Sequence, residues 1–462
     1  MLFNSTDYLA LLLISCLAYW LTPAVRVRQA ILLVASVVFY MSWSRPFAVM
    51  LLALIFVNWL IGWQLDRSRK RAWLLLGCAI NLSLLAGFKY ANFFLENLFA
   101  MAGSQTSPHL SIILPLGISF YVFELISYLA DIHRGQARHE RNPVAFALFV
   151  LFFPHLIAGP ICRAGQFIPQ VKQRQVFSFE HTHNGLYLFL CGFALKSGIA
   201  DGLAPFVTVI FNAPGSYSGF DNLMAALGFG VQILCDFWGY SLMALGSALL
   251  FGLILPANFN APYSAISIRD FWRRWHITLS NWLRDYLYIA MGGSRVDKNW
   301  KVQRNLVLTM LLGGLWHGAS WNFVIWGGIH GLALAVSRGF EQAQWPARAK
   351  RFFSNPIVGW ALTMAVVFIA WVFFRARTFD DAIMMLTRIF TPDSLWARSR
   401  IGAVFFELML LYLPLGWWVH RTTFQTSMAA APLTRQMAAA AVLAAFSLVY
   451  YVDGNDFIYF QF

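Results

Sequence analysis

The chain has 462 residues, of which 59% are hydrophobic and 12% charged, and it carries a net charge of +14. So few charges cannot clothe the surface of a soluble protein, and long apolar stretches recur from one end to the other, so the solvent is lipid. No hydrophilic stretch is long enough for a soluble module, so residues 1–462 read as a single membrane domain, and the excess of Lys and Arg reads as cytoplasmic loops and contact with anionic lipid rather than nucleic-acid binding.

The first apolar segment, about 8–22, contains Leu13-Ile14-Ser15-Cys16, which looks like a lipoprotein cleavage box. No Lys or Arg precedes it and the apolar run continues past Cys16, so it is expected to be a retained helix rather than a cleaved signal. Further apolar segments follow at about 29–43, 46–63 and 72–88. Arg26 and Arg28 make one intervening loop basic, and Arg67, Arg69, Lys70 and Arg71 another, whereas the turn between them holds only Arg45. This alternation places the N-terminus outside and the basic loops in the cytoplasm. Spans are expected near 111–130, 143–158, 184–211, 222–236, 239–256, 305–337, 355–374, 403–419 and 436–451. The result is an all-α polytopic protein of roughly eleven spanning helices, with others that enter without crossing. The basic stretch Arg375 to Arg400 would fall outside by simple alternation, against the charge rule. The five cysteines show no CxxC spacing and read as buried free thiols, with no disulfide framework or zinc site.

Two segments break the pattern. Between Asp270 and Tyr286, a helical wheel places Trp272, Trp275, Leu279, Trp282, Leu283 and Tyr286 on one face. Arg273, Arg274, Asn281, Arg284 and Asp285 fall opposite, as in an amphipathic helix at an interface or beside a polar cavity. The stretch Leu306 to Ala335 is almost wholly apolar. As one straight helix it would reach about 45 Å, beyond a hydrocarbon core of about 30 Å, so it must tilt or break. Gly313, Gly314 and Gly318 are the expected break points, and broken helices at that depth face protein or water, so this stretch is expected to border a tunnel.

His317 lies in that stretch, within Gly313-Gly314-Leu315-Trp316-His317-Gly318, far from Arg304 and Arg338 and so near mid-membrane. An imidazole there suits a general base that takes a proton from an attacking hydroxyl; a core histidine satisfied by a carbonyl is the alternative. His276, one turn from Ser280, is a second candidate, although an interfacial helix tolerates a histidine readily. On an unbroken helix His330 would point about 220° away from His317 and is the weakest of the three. Glu124 and Asp236 are acids in apolar sequence that could orient a histidine, brace a helix break or pair structurally. Tyr240, Ser280, Asn281 and Trp316 are further candidates for tunnel-lining or structural polar roles. There is no GxSxG elbow, Walker loop, HExxH or dinucleotide fingerprint, which argues against a serine hydrolase, an ATP-driven pump or a zinc protease.

Several stretches carry a resemblance. They are Phe88 to Phe93, Leu114 to Phe120, Phe153 to Pro160, Asp270 to His276, Trp282 to Tyr288, Leu311 to Gly318, Trp371 to Ala376 and Phe457 to Phe462. In this order the chain resembles the membrane-bound O-acyltransferase (MBOAT) family, and within it the bacterial branch that contains the membrane subunit of alginate O-acetyltransferase. The resemblance implies helices around a thinned centre pierced by a central tunnel, with His317 matching the family's catalytic histidine and His276 its second recurrent one. It implies that an acetyl group from cytoplasmic acetyl-CoA, a substrate rather than a bound cofactor, crosses a bacterial inner membrane. No metal is expected. A periplasmic acetyltransferase partner of the SGNH-hydrolase type would then place the group on an exported polysaccharide. Peptidoglycan acetylation, D-alanyl transfer to teichoic acid and passive transport of donor or glycan are the competing readings. Where many relatives have Asp-Phe-Ser-Gly-Tyr-Ser-Asp, this chain has Asp236 to Leu242 with Trp238 and Leu242 substituted, which bears on the width and polarity of that part of the tunnel.

Overall fold

A computed structural model describes residues 1, 3–104, 106–157, 159–344, 346, 351–395, 403–422 and 433–449. Of the stretches named above, Ala158, Arg398, Arg400, residues 450 and 451 of the last expected span and the ending Phe457 to Phe462 lie outside these. The described residues form helices and connecting loops with no strand. Among the described residues, six helices are long and apolar enough to cross a membrane: Arg45–Ser68, Arg71–Met101, Phe179–Asn212, Gly219–Leu249, Trp321–Gln342 and Pro356–Arg375. The shorter apolar helix Thr6–Leu21 accompanies these. The chain groups into two compact units. One comprises Met1–Leu190 with Tyr240–Ala257, and the other Cys191–Gly239 with Asn258–Phe462.

In the first unit, local chemistry sets the helix ends. Ser5 accepts from the Tyr8 amide at 3.2 Å, and Ser44 caps the next long helix ahead of Pro46. Arg69 closes that helix at φ 53, pairs with Asp66 at 3.1 Å and donates to the Ile132 carbonyl. Arg28 is a folded-in residue rather than a loop charge. Its guanidinium donates to the carbonyls of Thr22 at 2.6 Å and Gln175 at 2.7 Å and lies over the rings of Tyr19 and Trp20. The expected span 111–130 begins only at Ile118, after Gly117 at φ 73. The expected span 143–158 ends as a helix at Leu151, because Pro154 has no amide to continue it. The irregular turn that follows is buried, and side chains answer its amides: Ser36 accepts from Phe153 at 3.1 Å and Glu124 from Cys162 at 3.0 Å.

Two expectations about helix continuity are corrected. Segments 222–236 and 239–256 are not two spans, because one helix runs from Gly219 to Leu249. Gly239 does not break it; a Cβ there would come within 2.7 Å of the Gly192 carbonyl, so the glycine permits close backbone approach. The amphipathic stretch 270–286 keeps its two faces but is not one helix. Ile268–Arg274 ends, His276 turns at φ 42, and Ile277–Trp282 resumes before a π-helical turn over Leu283–Tyr288. The stretch 306–335 breaks as expected, at Gly318 and not at Gly313 or Gly314, and forms a hairpin of Asn299–His317 and Trp321–Gln342.

The hairpin's seam consists of small residues. A Cβ on Gly314 would strike the Phe323 carbonyl, one on Gly327 the Met310 carbonyl, and one on Gly331 would lie 2.9 Å from the Val307 Cα. As numbers rise on one helix they fall on its partner, which makes the pair antiparallel, packed backbone to backbone by glycines.

The basic stretch after Arg375 is a short amphipathic helix, Phe379–Phe390, opened by a Thr378/Asp381 capping box. Arg375 donates to Thr208 at 3.2 Å and Arg388 to the Gly215 carbonyl at 2.7 Å, so both charges serve the second unit's own packing. No disulfide joins the five cysteines; Cys162, Cys191 and Cys235 are buried, whereas Cys16 and Cys78 are half-buried.

Candidate active site

The hairpin turn and the break at His276 bring three histidines of the second unit into one aromatic cluster. His317 ends its helix at 3% exposure, and His276 and His330 are fully buried. The Trp316 ring lies 5.0 Å from His317 and 6.1 Å from His276. The Trp326 ring lies 4.9 Å from both His317 and His330. Phe374 packs edge-on against His317 at 5.3 Å, and Phe237 against His276 at 4.6 Å. Two tryptophans thus link the imidazoles in the order 276, 317, 330.

On an unbroken helix His330 would point away from His317, which makes it the weakest of the three candidates from sequence. The hairpin reverses the chain after Gly318, so His330 returns to share Trp326 with His317. Trp326 and His330 are one helical turn apart, an i,i+4 pair that a helical wheel of the return helix alone would have shown.

His276 owes its position to a strained residue. A non-glycine side chain at φ 42 costs about 1–2 kcal/mol. The loop before it absorbs that cost: Asn258 accepts from the Ile277 amide at 2.9 Å and from the Thr278 hydroxyl at 2.6 Å, while the Asn260 amide donates to Arg274 at 3.0 Å. Ser280, half-buried, donates to the Trp275 carbonyl at 3.2 Å, and Asn281 is half-buried as well.

Asp236 is paired structurally. Its carboxylate lies 2.8 Å from the Lys196 ammonium, which also meets Asp201 at 2.6 Å, and all three are buried. The next residue, Phe237, is the one against His276, so this ion cluster anchors a wall of the site. Sequence reasoning missed Lys196 and Asp201. The signal was a lone lysine inside the expected span 184–211, a position where a charge requires a partner.

Glu124 and Tyr240 belong to the first unit. Tyr240 is buried with its ring 5.4 Å from Phe3. Glu124 faces a histidine that sequence reasoning did not single out: Nδ1 of His155 lies 3.5 Å from its Oε1, beside Cys162. The ligand atoms of Glu124, His155 and Cys162 lie within 4.8 Å of one another, the one group of this kind among the described residues that could hold a metal ion. Trp238 and Leu242, the substituted positions, are both buried.

The membrane-bound O-acyltransferase family model matches residues 127–379, more than half of the chain, including all three histidines of the cluster. The chain is 42% identical over 411 residues to a protein named "Probable alginate O-acetylase AlgI" from Azotobacter vinelandii, covering 87% of this chain and 80% of that one. It is 39% identical to a "Peptidoglycan O-acetyltransferase" from Helicobacter pylori, covering 77% and 72%. It is 30% identical to a "Teichoic acid D-alanyltransferase" from Bacillus subtilis, over 56% and 66%. These relatives all transfer acyl groups by name, and the match spans the hairpin that carries His317. The chain belongs to the membrane-bound O-acyltransferase family and is a multi-pass membrane acyltransferase.

Proposed function

We propose that this acyltransferase takes an acetyl group from cytoplasmic acetyl-CoA and passes it through a tunnel in the bacterial inner membrane toward O-acetylation of an exported polysaccharide. The reading rests on one observation above the rest. His317 and His276, chosen from sequence, both pack against the Trp316 ring in a buried cluster within the family-matched region. In this reading His317 is the general base. It takes the proton of the attacking hydroxyl as that oxygen bonds to the thioester carbonyl carbon. The tetrahedral intermediate then expels the coenzyme A sulfur, which receives the proton from the imidazolium. His276 assists from the other side of the tunnel by hydrogen bonding or a second proton transfer. A separate periplasmic acetyltransferase receives the group and delivers it to the glycan. The relatives named for alginate support a polysaccharide acceptor.

The decisive assay uses proteoliposomes and radiolabelled acetyl-CoA. Wild-type protein is expected to release free coenzyme A, and His317→Ala to lose that release by at least about a hundredfold while inserting normally. Undiminished release from inserted His317→Ala would overturn the reading. Peptidoglycan is the second candidate acceptor, favoured by the Helicobacter pylori relative. Acetylation of purified murein, with none on polysaccharide, would select it.

A further inference from the structure

Beyond the two histidines already assigned, the cluster holds a set of buried donors that neither the fold nor the proposed roles use. Nε1 of Trp272, Nε1 of Trp326 and both ring nitrogens of His330 are buried and make no hydrogen bond among the described residues. Trp326 and His330 are 0% exposed and Trp272 9%. The three rings touch one another. Trp272 lies 5.1 Å from His330 and 5.8 Å from Trp326, and Trp326 lies 4.9 Å from His330. More than nine in ten buried polar groups in folded proteins are matched, and each unmatched one costs about 1–3 kcal/mol. Three such side chains in mutual contact therefore mark a place that something polar occupies.

The chemistry of the donors narrows what that is. Indole N–H donates and never accepts, and a neutral imidazole offers one donor and one acceptor. A water molecule would need two to four partners, some of them accepting its own protons. Among these three side chains only one imidazole nitrogen could do so. An oxygen that only accepts fits better: a carbonyl oxygen, and better still one gaining negative charge. Trp326 also packs on His317, so that oxygen would sit beside the base.

We infer that Trp272, Trp326 and His330 supply the hydrogen-bond donors for the carbonyl oxygen of the acyl group in transfer. The inference rests on His317 being the base. When the acceptor hydroxyl oxygen bonds to the thioester carbon, the carbonyl π pair moves onto this oxygen and the hydroxyl proton moves to His317. The three N–H groups stabilise the oxyanion until the carbon–sulfur bond breaks, the carbonyl re-forms and the sulfur takes the proton back.

The test has two arms. In kinetic assays on reconstituted protein, Trp326→Phe, Trp272→Phe and His330→Leu keep a ring or bulk but remove a donor. At least one is expected to lower kcat roughly a hundredfold with KM for acetyl-CoA within about twofold. In the second arm, acetyl-CoA labelled with carbon-13 at the carbonyl is bound to His317→Ala protein, where turnover is blocked. Its carbonyl stretch in infrared spectra is expected to fall below that of free acetyl-CoA, and to return toward it when Trp326→Phe and His330→Leu are added. All three variants folded with kcat near wild type, or a stretch that does not shift or shifts regardless of these residues, would show that the donors hold buried water only and would overturn the inference. A variant that fails to fold is set aside in favour of the spectra of the others. Undiminished turnover by His317→Ala would instead defeat the underlying reading, and failure of acetyl-CoA to bind would defeat the donor assignment and the inference with it.

Discussion

His276 illustrates how backbone and side chain can be separated at one residue. Its imidazole faces Phe237 and Trp316, but its φ of 42 is a conformation that glycine adopts without penalty. His276→Gly is therefore expected to be more stable than His276→Ala by about 1 kcal/mol, seen as a higher melting temperature in detergent, although both lose the ring. Equal melting temperatures would mean that the left-handed turn stores no strain. Lys196 gives the opposite case, a residue whose charge matters more than its shape. Lys196→Met would leave Asp201 and Asp236 buried without their cation, and breaking a buried pair costs about 3–5 kcal/mol. The expected outcome is a large loss of monodisperse protein on size-exclusion chromatography, partly restored when Asp201→Asn and Asp236→Asn are combined with it. The burial of His317 was legible from sequence because a titratable ring in an almost wholly apolar stretch has few cheap explanations. Lys196 was equally conspicuous, but its partner Asp236 is forty positions away, and only the folded chain joins them.

Among the elements, the hairpin of Asn299–His317 and Trp321–Gln342 decides the site. Its glycines let two backbones meet, so the seam tolerates no added carbon on its inner side. Gly327→Ala would press a methyl group into the Met310 carbonyl, push the helices apart and move Trp326 away from His317. It is expected to lower the melting temperature by several degrees and acyl transfer at least about tenfold. The adjacent Gly328→Ala meets only Leu311 at an ordinary 3.5 Å and should be near neutral in both measurements. The glycines near 313 and the excess length of the apolar run showed that the segment must break. They did not show that it would reverse direction. A kinked span and a hairpin have the same composition, and the choice between them depends on packing at Gly314, Gly327 and Gly331. Gly239 shows the converse: it lies where two spans were expected to meet, and it is a point of close helix approach inside one helix.

For the whole molecule, net charge and its placement give orientation. Helices Val25–Met41 and Arg45–Ser68 meet at a turn around Ser42, and the next connection, at Arg69 and Lys70, is basic. A cysteine introduced at Ser68 is expected to react with a membrane-impermeant thiol reagent only in inverted vesicles, and one at Ser42 only in intact cells. The reverse pattern would invert the topology read from charge. Not every arginine contributes to that signal. Arg28, Arg375 and Arg388 are spent on internal carbonyls and hydroxyls, so a simple count of positive residues overstates the field that orients the chain. For the same reason the stretch after Arg375 resisted a charge-based assignment.

The π-helical turns at Ala86–Tyr90, Ala194–Ala200 and Leu283–Tyr288 have a consequence for how such chains diverge. A wide turn lets a helix carry one surplus residue without ending, and the register beyond it rotates by about a quarter turn. Gains and losses of single residues can thus be absorbed inside a span rather than only in connecting loops. A gap in the middle of an apolar helix, when this chain is compared with its kin, then records a change in which side chains face inward and is no sign of a failed match.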